Sequence, residues 1–379
     1  MKVLYILHVA QMHGSTISIL NTIKGVKSKG IEPIVVIPDS KLCDESFKKS
    51  IEELRIKTYI IPLALSVFKR DEYYTWSIRQ KIYKFRHLYV QKYQNYKLLS
   101  KIVKIEKPHI IHTNVGVIHE GFWVAKKYRI PHIFHIREYQ DKDIGWKIVP
   151  SKSCFCWILK RSNVITITSA LKSYFGLEKR SNALTIYNGI YSRTKTSMVF
   201  PKEDYFFCAS RVSKEKGIDE VIIAFALFCK THPNYKLLIA GTGDIRYLER
   251  LYELASNNNC RDKVHFLGSI NDVYGYMQKA RALIVGSHYE GFGRMTAEAA
   301  FAGCLVIGRN TGGTKEIIDR IGGYKFNTVE ELITSMNTIS VLTETTYREM
   351  AHYAQNQAIE SFSIEQNVEK TLSIYHSIT

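Results

Sequence analysis

The 379-residue chain has no apolar run approaching the roughly 18 residues that a membrane-crossing helix needs, which excludes a spanning helix. Paired cysteines are also missing. Seven are scattered, Cys154 and Cys156 are the nearest pair, and no second pair or histidine cluster completes a zinc site. Free thiols in a reducing cytosol are the expectation. No G-x4-G-K-[ST] loop occurs, so an ATPase of that type has no support. Met1 to Val9 lacks a charged segment followed by a cleavage site, and is expected to be a buried strand rather than a secretory signal. Acid is scarce: 35 Asp and Glu stand against 53 Lys and Arg, a net charge of +18.

What is present alternates. Short apolar runs recur at Val3–Val9, Pro33–Ile37, Thr58–Ile61, His109–His112, His132–His135 and Val164–Thr168, with amphipathic stretches between most of them. A second series follows at Tyr205–Ala209, Lys236–Ala240, Val264–Leu267, Ala282–Val285 and Cys304–Gly308. This is the βαβ alternation of a parallel sheet, run twice. Asn188–Pro201 is polar, breaks the periodicity and reads as the linker. Ser363–Ile378 reads as a last helix. Ligands of open α/β sheets bind at the carboxyl ends of the strands.

One such end is rich in chemistry. After the apolar strand at 282–285 comes Glu290-Gly291-Phe292-Gly293-Arg294-Met295-Thr296-Ala297-Glu298, followed by a helix-forming run. Strand, glycine loop and helix aim free backbone N–H groups at an anion. The glycines allow positive φ and close approach to a ligand. Glu290 and Glu298, eight positions apart, can both accept hydrogen bonds from hydroxyls. A phosphate flanked by hydroxyl-reading carboxylates describes a nucleotide-sugar.

This stretch resembles the E-x7-E motif of retaining GT-B glycosyltransferases of the GT4 (glycosyl transferases group 1) family. The resemblance implies that Glu290 contacts the donor sugar, that Glu298 binds the ribose, and that Gly291, Phe292, Gly293, Arg294, Met295 and Thr296 line the donor. Ala209-Ser210-Arg211-Val212-Ser213-Lys214-Glu215-Lys216-Gly217 is similar to the family's G-R-L-x-x-x-K-G segment, with Ala209 and Ser210 where a glycine is common. It implies that Arg211 and Lys216 hold the diphosphate. Gly241-Thr242-Gly243-Asp244 and Thr311-Gly312-Gly313-Thr314-Lys315-Glu316 resemble the family's G-x-G and G-G-x-x-E turns, which places Gly241 near the nucleotide. In the first half only Gly14 matches a turn that usually carries two glycines. His135-Ile136-Arg137-Glu138 resembles an H-x-R-E variant. The histidine of that variant lies beside the sugar, a role that falls to His135, with Arg137 and Glu138 facing the same site. Asp141-Lys142-Asp143 matches the metal-binding D-x-D of a different glycosyltransferase fold, but sits in a polar loop and reads as surface.

Between Lys69 and Lys107 eleven basic residues, among them Lys81, Lys84, Arg86 and Lys92, meet only Asp71, Glu72 and Glu106. Tyr73, Tyr74, Trp76, Tyr83, Phe85, Tyr89, Tyr93 and Tyr96 are interleaved. A basic, aromatic helix suits an anionic membrane surface, and a solvated hairpin with inward aromatics is the other reading. No recognisable nucleic-acid module accompanies it, and no nucleic-acid partner is expected.

The expectation is therefore an α/β protein of GT-B fold, with two Rossmann-like domains facing a cleft. Residues 1–190 would bind the acceptor and 191–360 the nucleotide-sugar, with 361–379 as a helix packing back on the first domain. The resemblance implies a cytoplasmic hexosyltransferase, peripheral at the inner face of the membrane. It would move a sugar from a UDP- or GDP-linked donor to a glycan or lipid-linked glycan acceptor, with retention and without a metal or other cofactor. No residue is assigned as nucleophile. An epimerase of the same architecture and a catalytically silent nucleotide-sugar-binding protein are the alternatives.

Overall fold

A computed structural model of the chain describes residues 1–39 and 44–379. Cys43 lies outside the described residues; the other six cysteines are free thiols. The chain forms two compact units, Met1–Gly189 with Ile364–Thr379 (unit 1) and Ile190–Ser363 (unit 2).

Unit 1 contains β1 (Lys2–Leu7), β2 (Glu32–Ile37), β3 (Lys57–Ile60), β4 (Val67–Lys69), β5 (Ile110–Asn114), β6 (His132–Ile136), β7 (Trp146–Ile148), β8 (Asn163–Thr166) and β9 (Ala183–Thr185). Seven of these form a parallel sheet in the order β3-β2-β1-β5-β6-β8-β9. β1, β5 and β6 are buried almost end to end, as strands covered by helices on both faces must be. β4 and β7 pair antiparallel as a separate ribbon.

Unit 2 contains β10 (Glu203–Ala209), β11 (Lys236–Ala240), β12 (Val264–Gly268), β13 (Ala280–Val285), β14 (Val306–Arg309) and β15 (Tyr324–Phe326). They form one parallel sheet in the order β12-β11-β10-β13-β14-β15. Both sheets grow outward from their first strand, turn back and add the later strands on its other side. This is the doubly wound order, whose ligand crevice lies where the order reverses. The reversal falls between β1 and β5 in unit 1, and between β10 and β13 in unit 2.

The eleven strands expected from the sequence are present, with ends shifted by a few residues. Four were not legible: β4, β7, β9 and β15, each three residues long and partly exposed. Such a run is too short to show a period of two.

The last helix, Ile364–Ile378, packs on Gly14–Ser28 in unit 1. The Val368 side chain packs into the space that Gly25 leaves, where a Cβ would stand 2.2 Å from its γ-methyl. Val368, Ile374 and Tyr375 join the core of unit 1.

The basic segment is mainly one helix, Ile78–Glu106, opened by a reciprocal capping box. Ser77 accepts from the Gln80 backbone and the Gln80 side chain accepts from the Ser77 backbone. Its aromatics divide. Tyr73, Trp76 and Phe85 gather around Phe68, whereas Ile78, Ile82, Tyr83, Tyr89, Val90 and Tyr93 stand exposed. Lys92 departs from the surface reading. It spaces with Leu88, Asn95 and Leu99 on the inward stripe, and its ammonium meets Glu120 at 2.8 Å.

Gly25→Val should press the last helix away from Gly14–Ser28 and cost about 1–3 kcal/mol, the usual range for overpacking. All four tryptophans (Trp76, Trp123, Trp146 and Trp157) lie in unit 1. Urea unfolding followed by their fluorescence therefore reads this loss directly.

Candidate active site

In unit 2 the turns that follow β10, β11, β13 and β14 are drawn together by glycines. Gly217, at φ 59°, closes the turn after β10, and a Cβ there would meet the Gly286 carbonyl oxygen at 2.5 Å. Gly241, at φ 131°, lies so close to the Ser210 carbonyl that a Cβ would overlap it at 1.8 Å. Val212 N–H donates to the Thr242 carbonyl (2.9 Å) and His288 N–H to that of Glu215 (3.0 Å). Gly313 N–H donates to the Glu290 carbonyl at 2.8 Å. Arg309 bridges beneath them, donating to Gly286 O (2.9 Å) and Glu220 (2.6 Å).

Two helices start in this assembly. Arg294–Phe301 begins directly after Gly293, which takes left-handed φ, and Gly312–Ile321 begins after Thr311. Neither has a capping side chain or an acid in its first turn. Thr311 gives its hydroxyl to the His288 carbonyl instead. Their positive dipole ends favour an anion, although Gly313 N–H already donates to the Glu290 carbonyl and Thr296 N–H to that of Gly293. The hydroxyls of Thr296 and Thr314 are buried without partners among the described residues, and Thr314 lies against Gly293.

The charged residues expected from the motifs pair across these turns. Lys216 Nζ lies 2.5 Å from Glu290 Oε1, so the ion pair spans the reversal between β10 and β13. Arg294 Nε donates to Glu298 Oε1 at 2.5 Å, and the Tyr191 hydroxyl also bonds Glu298. Glu298 is buried, and Arg211 is exposed beside Glu215. Gly291 and Phe292 are buried, Phe292 edge-on to Phe362, whereas Met295 is half-buried. Tyr191, Arg309 and Thr314 were missed as parts of this site. Thr314 lay inside a motif that was read, but Tyr191 and Arg309 carried no local signal.

The residues expected from the first half occupy unit 1. Gly14 opens the helix after β1. His135 and Arg137 lie in a buried polar chain. Tyr5 and Tyr375 share a hydroxyl contact of 2.9 Å, Tyr375 reaches His112 Nδ1 at 2.7 Å, and His112 Nε2 meets His135 Nδ1 at 3.2 Å. Arg137 Nη2 approaches the same Nδ1 at 3.4 Å, while its other nitrogens bond Asn114 and Asn188. A guanidinium only donates, so Nδ1 of His135 must accept. His112 then donates through Nε2 and accepts from Tyr375 through Nδ1. His135 is left with an Nε2–H donor, and that buried nitrogen has no partner among the described residues. His135, expected beside the sugar, is a fully buried member of this polar chain on β6.

Burial, reinforced by the Arg137 charge, holds His135 well below the usual histidine range and His112 down to about 3. Both are neutral at pH 7. Glu138 does not join them. Burial and the nearby Asp143 push its carboxyl up to about 7, against the pull of Arg137. Asp141 accepts from the Tyr174 hydroxyl and Asp143 from Tyr139 N–H, so the D-x-D carboxylates serve the loop that carries them.

Residues 194–357 match the family described as Glycosyl transferases group 1. Unit 2 belongs to the glycosyl transferases group 1 family. An uncharacterized glycosyltransferase of Methanocaldococcus jannaschii, MJ1607, is 30% identical over 236 residues, 56% of this chain and 59% of that protein. A second from the same organism, MJ1178, is 26% identical and is spanned over 63% of its length. The chain thus spans about three fifths of these relatives. The alpha-monoglucosyldiacylglycerol synthase of Acholeplasma laidlawii is 25% identical over 354 residues, 84% of this chain and 83% of that one. Among solved structures, Anabaena Alr3699/HepE in complex with UDP superposes with a TM-score of 0.77 at 18% identity over 100% of both chains. A glycosyltransferase of Rickettsia africae gives 0.77 at 19% identity, over 100% of this chain and 98% of that one. The fold is that of GT-B glycosyltransferases, two Rossmann-like units with parallel sheets.

The group 1 domain is the poorer of the two units in buried histidine. His8, His112, His119, His132 and His135 all belong to unit 1, and burial is the first cause holding each below its ordinary value, His8 at about 4 and His112, His119 and His132 at about 3. The unfolded chain takes up protons near pH 6.5, before the folded one does. Stability from these groups is complete above that pH and falls as pH drops from about 6.5 towards 4, each group adding up to about 1.4 kcal/mol per pH unit. Glu138 acts with the opposite sign between about 4.5 and 7, as one group against five. The tryptophan-detected urea midpoint should be flat from pH 8 to 7 and fall steeply below 6. His119→Gln with His132→Gln should flatten that fall.

Proposed function

We propose that the protein transfers a sugar from a nucleoside diphosphate sugar, UDP- or GDP-linked, to a glycan or lipid-linked glycan acceptor, with retention of configuration. The observation that carries this reading is the Lys216–Glu290 pair at the reversal of the second sheet, beside two uncapped helix starts. A diphosphate entering there meets cations and N–H groups without a metal. Lys216 and Arg211 neutralise the leaving group, as charge developing on an oxygen requires. When the Lys216 ammonium turns to phosphate, Glu290 is released to hold the sugar hydroxyls. Glu298, kept in place by Arg294 and Tyr191, receives the ribose hydroxyls.

No side chain is assigned as nucleophile. The departing phosphate oxygen takes the proton of the incoming hydroxyl on the same face, which preserves configuration. The alpha-monoglucosyldiacylglycerol synthase among the relatives, and the UDP held by one structural neighbour, support a lipid-linked acceptor and a uridine donor respectively. No helix among the described residues is long and apolar enough to cross a membrane. The exposed Ile78, Ile82 and Tyr83, beside Lys81, Lys84 and Arg86, support a cytoplasmic protein with peripheral contact to an anionic membrane.

Incubation with UDP- or GDP-sugars should release nucleoside diphosphate only when an acceptor is present, and EDTA should leave the rate unchanged. Release without acceptor, or loss with EDTA that manganese restores, contradicts the reading.

Glu298→Ala should weaken donor binding by about 1.5–3 kcal/mol, the worth of hydrogen bonds to a charged group. Calorimetry on variant protein with native circular dichroism decides this, and unchanged affinity removes Glu298 from the site.

A further inference from the structure

Unit 1 holds a groove of about 890 Å³ between the helices Ile78–Glu106, Glu120–Tyr128 and Lys152–Leu159. It is separate from the chain of polar groups around His135. Successive residues of β6 face opposite sides of the sheet. His135 faces His112 and, through it, Tyr375, whereas Phe134 faces His119 and Phe155 on the groove side.

The walls are aromatic and aliphatic: Tyr89, Tyr93, Tyr96, Trp123, Trp157 and Ile158. Trp123 and Trp157 stack at 6.5 Å yet remain 41% and 43% exposed, which leaves much of their surface without a partner. These walls expose mainly ring and aliphatic carbon and little polar surface. They suit a hydrocarbon chain.

One charged pair lies inside. The side chains of Lys92 and Glu120 are only 13% and 3% exposed. Both Glu120 oxygens are engaged, one by Lys92 and the other by His119 N–H. Lys92 has three donors and, among the described residues, one partner, so two N–H groups remain for an incoming oxygen. The helix that supplies Lys92 also carries Arg79, Lys81, Lys84, Arg86, Lys97, Lys101 and Lys104, against Glu106 as its one acid. That field favours an anionic head.

We propose that this groove binds the hydrocarbon chain of a lipid phosphate, with the phosphate oxygens on Lys92. As the place of the acceptor lipid it rests on the transferase reading. As a binding site it can be measured without a donor.

Cys154 lines the groove and is exposed, so its thiol reports occupancy. Alkyl phosphates of six to twelve carbons, below their micelle concentrations, should protect Cys154 from maleimide, as read by peptide mass spectrometry. Each added CH₂ should tighten binding roughly fourfold until the groove is full. Inorganic phosphate should give no protection, and dodecyl maltoside much less than dodecyl phosphate. Ser153→Trp should fill the groove and abolish protection by the chain. Lys92→Met with Glu120→Gln, which leaves no buried charge unpaired, should erase the preference for phosphate over maltoside. Donor affinity at the group 1 domain should stay unchanged in both variants, which separates failure of this site from failure of the transferase reading. Protection independent of chain length overturns the proposal. So does vesicle binding that leaves Cys154 reactive, because it places the lipid contact on the exposed face of the helix.

Discussion

The second unit depends on the pairing of β10 with β13. Each strand of a parallel sheet must be followed by a crossover, and all crossovers turn the same way. Where the chain first adds strands on one side of β10 and then returns to its other side, consecutive crossovers lie on opposite faces. The turns after β10 and β13 therefore part, and the backbone there cannot satisfy itself through the sheet. Gly217 and Gly286 let the parted turns touch again at backbone distance. Lys216 and Glu290 sit at this junction, and their ion pair is a consequence of strand order before it is a feature of chemistry.

Much of this was legible because the chemistry is local. Arg211 to Gly217, Gly241 to Asp244 and Glu290 to Glu298 are short segments, each following an apolar strand, and the sheet order brings segments of this kind to one edge. What could not be read depends on distance along the chain or on which side a helix turns inward. Tyr375 reaches His112 from the far end of the sequence, and Tyr191 reaches Glu298 from the start of unit 2. Neither has a neighbour in sequence that hints at it.

Lys92 differs, because a signal was present. Leu88, Lys92, Asn95 and Leu99 follow a helical spacing of four, three and four, so Lys92 occupies a core-facing position. Counting lysines along the segment hid that spacing. His135 was correctly placed on a strand, but its neighbours on β5 and on the last helix decide its tautomer and charge. A strand residue alone carries neither.

The return of Ile364–Ile378 to Gly14–Ser28 has a temporal meaning. Unit 2 is one uninterrupted stretch, so a growing chain can complete it while still being made. Unit 1 has most of its sheet far earlier, yet its Gly25 surface and the hydroxyl partner of His112 stay open until the last helix emerges. The tautomers of His112 and His135 are therefore fixed only once Ile364–Ile378 has emerged, when unit 2 has had time to fold.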